Sequence, residues 1–119
     1  SAPADLITVG YAISGLYDLE VLMHLSGNAE FKLDAAEARR ISPLFWPVGT
    51  GHVLDAVVGG DESSEFLRHS KTIADAWRAK GVETRYEAIP GLNHFTICDP
   101  MADPNSAMTK RLVELAKRI

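Results

Sequence analysis

A single cysteine, Cys98, is all that the 119 residues contain. No disulfide framework can form within the chain, and a lone thiol fits a reducing, cytoplasmic setting. Long apolar runs are missing too: no stretch approaches the roughly 20 residues that a membrane-spanning helix needs. Basic clusters are equally scarce. Arg39-Arg40 is the longest basic run and the net charge is −4, which disfavours nucleic acid and anionic membranes, because both select clustered Lys and Arg. His52, His69 and the acids lack zinc-like spacing and one cysteine adds no ligand set, so neither a metal nor another cofactor is expected.

What is present has the balance of a folded domain, 46% hydrophobic and 24% charged. A chain of this length makes one domain that buries about two-thirds of its unfolded surface. Ile7 to Ile13 is almost uncharged and rich in β-branched and aromatic residues, as suits a parallel strand covered on both faces. Asp18 caps a short helix through Leu25, and Gly27-Asn28 ends it. Asp34 opens another, with Glu37 at the capping-box position and a stop at Ser42-Pro43. After a loop holding Pro47, Gly49 and Gly51, a second strand runs from Val53 to Val58 and ends at Gly59-Gly60.

The clearest helix spans Ser64 to Lys80, with Phe66, Leu67, Ile73, Ala74 and Trp77 on one side and Gly81 as the stop. A third strand, residues 82–89, alternates: Glu83, Arg85 and Glu87 point one way, which places it near a sheet edge. The last helix begins at Asp103-Pro104 or Ser106, and Met108, Leu112, Leu115, Ala116 and Ile119 form its buried stripe. Strands separated by crossover helices predict an α/β fold with three parallel strands, residues 7–13, 53–58 and 82–89.

Chemistry in such sheets sits at the C-terminal strand ends. There the second strand leads into G-G-D-E-S and the third into P-G-L-N-H-F, so adjacent loops bring an acid, Asp61 or Glu62, toward His94. A carboxylate beside imidazole selects its tautomer and stabilises the imidazolium formed when the ring takes a proton. Asp61 and Glu62 also read as N-terminal acids that favour the dipole of the following helix. Asp18 reads as a helix cap. Trp46, Phe66 and Phe95 read as core residues able to line an acyl or aromatic pocket. His24, His52 and His69 read as surface or capping residues, and Cys98 as a small packed hydrophobe.

Four stretches carry a family resemblance: A-I-S-G-L-Y-D-L (12–19), S-P (42–43), V-G-G-D-E-S-S-E-F-L-R-H-S (58–70) and N-H-F (93–95). Together they resemble the C-terminal half of an α/β-hydrolase, and within that superfamily the kynurenine formamidase (arylformamidase) group and its small bacterial esterase relatives. The resemblance runs from the sixth strand of that fold to its last helix. It implies a triad histidine at His94 and a triad acid just after the seventh strand. Counting back from Glu65-Phe66 selects Glu62, whereas counting from Gly59-Gly60 selects Asp61.

A hydrolase of this kind needs a serine on a sharp G-x-S-x-G elbow and an oxyanion hole from an earlier loop. No serine here has glycines two before and two after it; Ser14 follows a strand without the elbow, and Ser63, Ser64 and Ser70 lie at or in a helix. The resemblance implies that both elements precede Ser1, so the chain is expected to be the C-terminal portion of a single hydrolase domain. Two functions follow. Joined to a nucleophile-bearing half, the chain supplies the acid and base that act on a small ester or aryl formamide. On its own it is inactive and works by association, with the other half or with a second copy through the open edge of its first strand.

Overall fold

The computed structural model describes Pro3 and residues 5–119. Its centre is a parallel sheet of three strands in the order β1 (Val9–Ile13), β2 (Val53–Gly59), β3 (Glu83–Ile89). This is the α/β arrangement that the alternation of elements predicts. β1 starts two residues later than expected because β2 offers no partner before Val53, which stands opposite Val9. Ile7 is left 74% exposed. β2 gains Gly59, which pairs with Ile89. Val82 stays outside β3: its N–H closes on the Trp77 carbonyl, and the ladder opens instead with Glu83 N–H to His52 O.

The helices are α1 (Asn28–Phe31), α2 (Ala35–Ile41), α3 (Ser64–Ala79) and α4 (Ala107–Ala116). Asp34 caps α2 through the Glu37 N–H, and Ser106, not Asp103, caps α4 through the Thr109 N–H. Asp18 caps Leu19–His24, which winds as a 3-10 turn. Gly27-Asn28 does not end the helical segment but begins α1.

Residues on β2 alternate between two cores. Leu54 and Ala56 pack with Ile73 and Ala74 of α3 and with Tyr17 and Val82. Val57 packs with Ile97 and with Met108 of α4. β2 is buried along nearly its whole length, whereas β1 is only half-buried, so the expectation of cover on both faces fails there. The stripe of α4 is also shorter than expected. Met108 and Leu115 are buried, but Ala116, the last residue of the helix, and Ile119, beyond its end, are exposed.

Asp55 is a charge in the middle of β2 and only 1% exposed. Arg111 of α4 meets it with two parallel hydrogen bonds, Nε to Oδ2 at 2.7 Å and Nη2 to Oδ1 at 2.9 Å. This contact with Asp55, reinforced by Glu114 and Glu83, holds the guanidinium well above its usual range. The pair ties α4 to the central strand. No helix is long and apolar enough to cross a membrane among the described residues.

Candidate active site

Two glycines allow the loops after β2 and β3 to meet. A Cβ on Gly59 would lie 2.3 Å from the Leu92 carbonyl oxygen, and one on Gly60 would lie 3.1 Å from that of Ile89. With no side chains between them, the loops bond directly: Gly60 N–H donates to Ile89 O at 2.7 Å and Asp61 N–H to Leu92 O at 3.0 Å. Gly91 turns the chain with φ +79. Asn93 then holds the tip, its Oδ1 accepting the N–H groups of Phe95 and Thr96. Buried Ile97 pins the far end of the loop into the core under α4. The histidine between these anchors is therefore carried on a fixed turn.

Across that seam His94 Nδ1 lies 2.7 Å from Glu62 Oε1. The Glu62 side chain is fully shielded from solvent, while that of His94 is half exposed. The acid's other oxygen, Oε2, accepts the Ser14 hydroxyl at 2.5 Å and the Gly59 N–H at 2.6 Å. Burial pushes the carboxyl upward and is the largest single influence on it. The bonds from Ser14, Gly59 and His94 together outweigh burial and hold Glu62 below the usual carboxylate range. A charged carboxylate facing Nδ1 places the proton of the neutral ring there and leaves the lone pair on Nε2. Nε2 has no partner among the described residues.

Of the two acids left open by the sequence, Glu62 is the one that meets His94. Asp61 is exposed, and only its backbone joins the seam. Phe66 stacks on the imidazole with centroids 4.6 Å apart and planes inclined by 28°. That face is occupied by His94, so Phe66 braces the ring rather than presenting the same face to a substrate. Phe95 meets the ring edge-on at 6.3 Å and is 91% exposed, so it is no core residue. Trp46 stands elsewhere: with Ile7, Val48, His52 and Val53 it lines a cavity of about 500 Å³ at the N-terminal ends of the strands. The return of the chain through Pro47–His52 to the start of β2 carries it there.

Two histidine and cysteine positions depart from expectation. His69 is not a surface residue but 2% exposed, its Nδ1 accepting the Tyr17 N–H at 3.0 Å. Burial, with the Arg68 guanidinium beside it, holds this imidazole below its usual range. Cys98 is exposed rather than packed, because Ile97 takes the inward position. Ser14, which lacks an elbow, is 8% exposed and directs its hydroxyl at Glu62, not at a histidine. A serine one residue beyond an apolar strand with glycine after it was the available signal. Among the described residues no cluster of three His, Cys, Asp or Glu side chains is placed to hold a metal ion.

No protein-family profile matches the chain. It is similar to kynurenine formamidase from Danio rerio, 26% identical over an alignment of 110 residues that covers 88% of this chain and 38% of that protein. It also superposes on a crystal structure of a candidate thioesterase from Silicibacter sp. TM1040 with a TM-score of 0.76 and 28% identity, over 90% of this chain and 39% of the other. The chain thus spans under two-fifths of the length of either relative. Sequence and fold together give it a partial α/β-hydrolase-like architecture with a formamidase-like relationship.

Proposed function

We propose that this chain supplies the acid and the base of a serine hydrolase, with Glu62 and His94 as two members of a triad whose serine lies on another segment. The observation that carries the proposal is the 2.7 Å contact between Glu62 Oε1 and His94 Nδ1, which leaves Nε2 open. Nε2 is then the atom that takes the proton of an attacking hydroxyl and later returns it to the leaving group. Glu62 holds the ring and stabilises the imidazolium between those steps. No hydroxyl or thiol among the described residues bonds to His94, and Ser14 is committed to the acid. The chain's share of its relatives' length is compatible with the reading that a nucleophile is supplied from outside it.

A formamidase and a thioesterase, the activities in the relatives' names, both cleave at an acyl carbon. The proposed substrates are accordingly small esters and aryl formamides. In this reading Phe95, exposed and edge-on to His94, meets an aromatic leaving group.

Co-expression of the chain with a nucleophile-bearing hydrolase segment tests the proposal. The pair is expected to hydrolyse p-nitrophenyl acetate or an aryl formamide and to react with a fluorophosphonate. The chain alone is expected to do neither, because acid and histidine have nothing to activate. Full activity of a complemented His94→Ala variant would remove the histidine from the mechanism. Stoichiometric labelling of the chain alone would show that it carries its own nucleophile.

A further inference from the structure

The Ser14 hydroxyl sits where a serine nucleophile is not needed, on the far side of the acid from the histidine. The geometry points to Ser14 as a positioning residue: it fixes Oε2 of Glu62 so that Oε1 faces His94 Nδ1. The inference rests on the acid–histidine reading above and extends it to a third side chain. Three observations support it.

First, Ser14 and the Gly59 N–H converge on one oxygen, at 2.5 and 2.6 Å, and leave the other to His94 at 2.7 Å. A carboxylate without those two donors can rotate about its last bond, and no fixed oxygen then faces the ring. Second, the place of Ser14 is set independently of Glu62. Its N–H donates to Val57 O at 2.8 Å, extending the parallel ladder one residue past β1. A few residues on, the Tyr17 N–H is held by buried His69. The backbone that carries the hydroxyl is thus held by β2 on one side and α3 on the other, through bonds in which the acid takes no part.

Third, Ser14 adopts φ +49, a left-handed conformation that non-glycine residues seldom take. Glycine satisfies that backbone without strain, so a local turn requirement does not select serine there. What glycine lacks is the hydroxyl. Buried at 8% exposure, that hydroxyl needs an acceptor, and Glu62 Oε2 provides it.

Ser14→Gly tests this in the intact chain, since glycine keeps the turn and removes the hydroxyl together with the one carbon that carries it. The readout is the His94 tautomer from ring ¹⁵N shifts at a pH where the ring is neutral, with the Glu62 carboxyl ¹³C titration alongside. The wild-type chain is expected to hold the Nδ1–H form. In Ser14→Gly the expected result is a mixture of tautomers, an Nδ1–H proton that exchanges severalfold faster, and a Glu62 midpoint moved upward. Ser14→Cys, with its weaker donor, is expected to fall between. A loss of packing alone moves the melting midpoint but not the tautomer.

Glu62→Gln separates this inference from the reading beneath it. Ser14 and Gly59 then claim the amide oxygen and turn the NH₂ toward His94, which is expected to drive the ring to the Nε2–H form. An unchanged tautomer in Glu62→Gln overturns the acid–histidine reading itself. A switched tautomer there, with wild-type behaviour in Ser14→Gly, overturns only the role of Ser14.

Discussion

Gly59 ends β2 and Leu92 lies in the loop after β3, yet a single added methyl on Gly59 would stand 2.3 Å from the Leu92 oxygen. Neither atom is the far end of a flexible side chain, so the backbone itself must move. Gly59→Ala is therefore expected to cost about 1–3 kcal/mol, the range for overpacking a fitted interior, and to part the two loops. Urea unfolding reads the first effect. Faster hydrogen exchange of the Asp61 amide, which bonds to Leu92 O, reads the second. A variant as stable as wild type with that amide still protected would show that the seam has slack.

Breaking the Asp55–Arg111 pair from one side leaves a mostly buried guanidinium with only the exposed Glu114 carboxylate bonded to it. Asp55→Ala is expected to cost about 3 kcal/mol, the lower part of the range for an unpaired buried charge. Asp55→Leu combined with Arg111→Met, which removes both charges, is expected to cost far less. Denaturant midpoints of the three proteins check the ordering, and equal losses in both variants would contradict it.

Acid titration of stability should carry the mark of Glu62. Its folded pKa lies below its ordinary value of 4.5, so its contribution is complete above that value and fades as pH falls through the folded pKa. The stability difference between wild type and Glu62→Gln is expected to be flat at neutral pH and to shrink on acidification below about pH 4.5. A difference that grows in acid would mean that the carboxyl is held neutral in the fold.

The outer edge of β1 pairs with no strand among the described residues, and Val9–Ile13 contains no charge, Lys or Pro to blunt it. Self-association through this edge, or capture of a nucleophile-bearing segment, is expected at micromolar concentration. Light scattering should then give a mass above the 13.0 kDa of one chain. A 13.0 kDa particle whose β1 amides resist exchange would show that the chain covers the edge itself.

The parts of this molecule that are periodic or stereochemically forced were legible in the sequence. Alternation of strand and helix sufficed for a sheet of three parallel strands, Asp34 announced the start of α2, and Ser106 was one of the two starts that the sequence offered for α4. Between Asp61 and Glu62 the sequence left the choice open, the resemblance counting to Glu62 and the strand end to Asp61, and only the folded seam brings one of them, Glu62, to His94. Contacts made in three dimensions by ordinary-looking polar residues were not legible. His69 sits in a helix between Arg68 and Ser70 and nothing local shows that its ring faces the Tyr17 N–H. Asp55 lies in an apolar strand, and its partner Arg111 is 56 residues away. Trp46 illustrates the converse: its type suits a pocket, but the path of the chain after it decides which end of the sheet it occupies.

Ser14, Glu62 and His94 stand 48 and then 32 residues apart along the chain. Both side-chain links, Ser14 to Glu62 and Glu62 to His94, are therefore distant loop closures, and parallel strands cannot pair until the crossover between them is laid down. During synthesis the histidine emerges after the other two, so the acid and its hydroxyl donor can be in place while His94 is still unmade. The pairing of Glu62 with His94 thus reports completion: its appearance marks the moment when β3 docks, and it should be among the first bonds to break when that strand peels away.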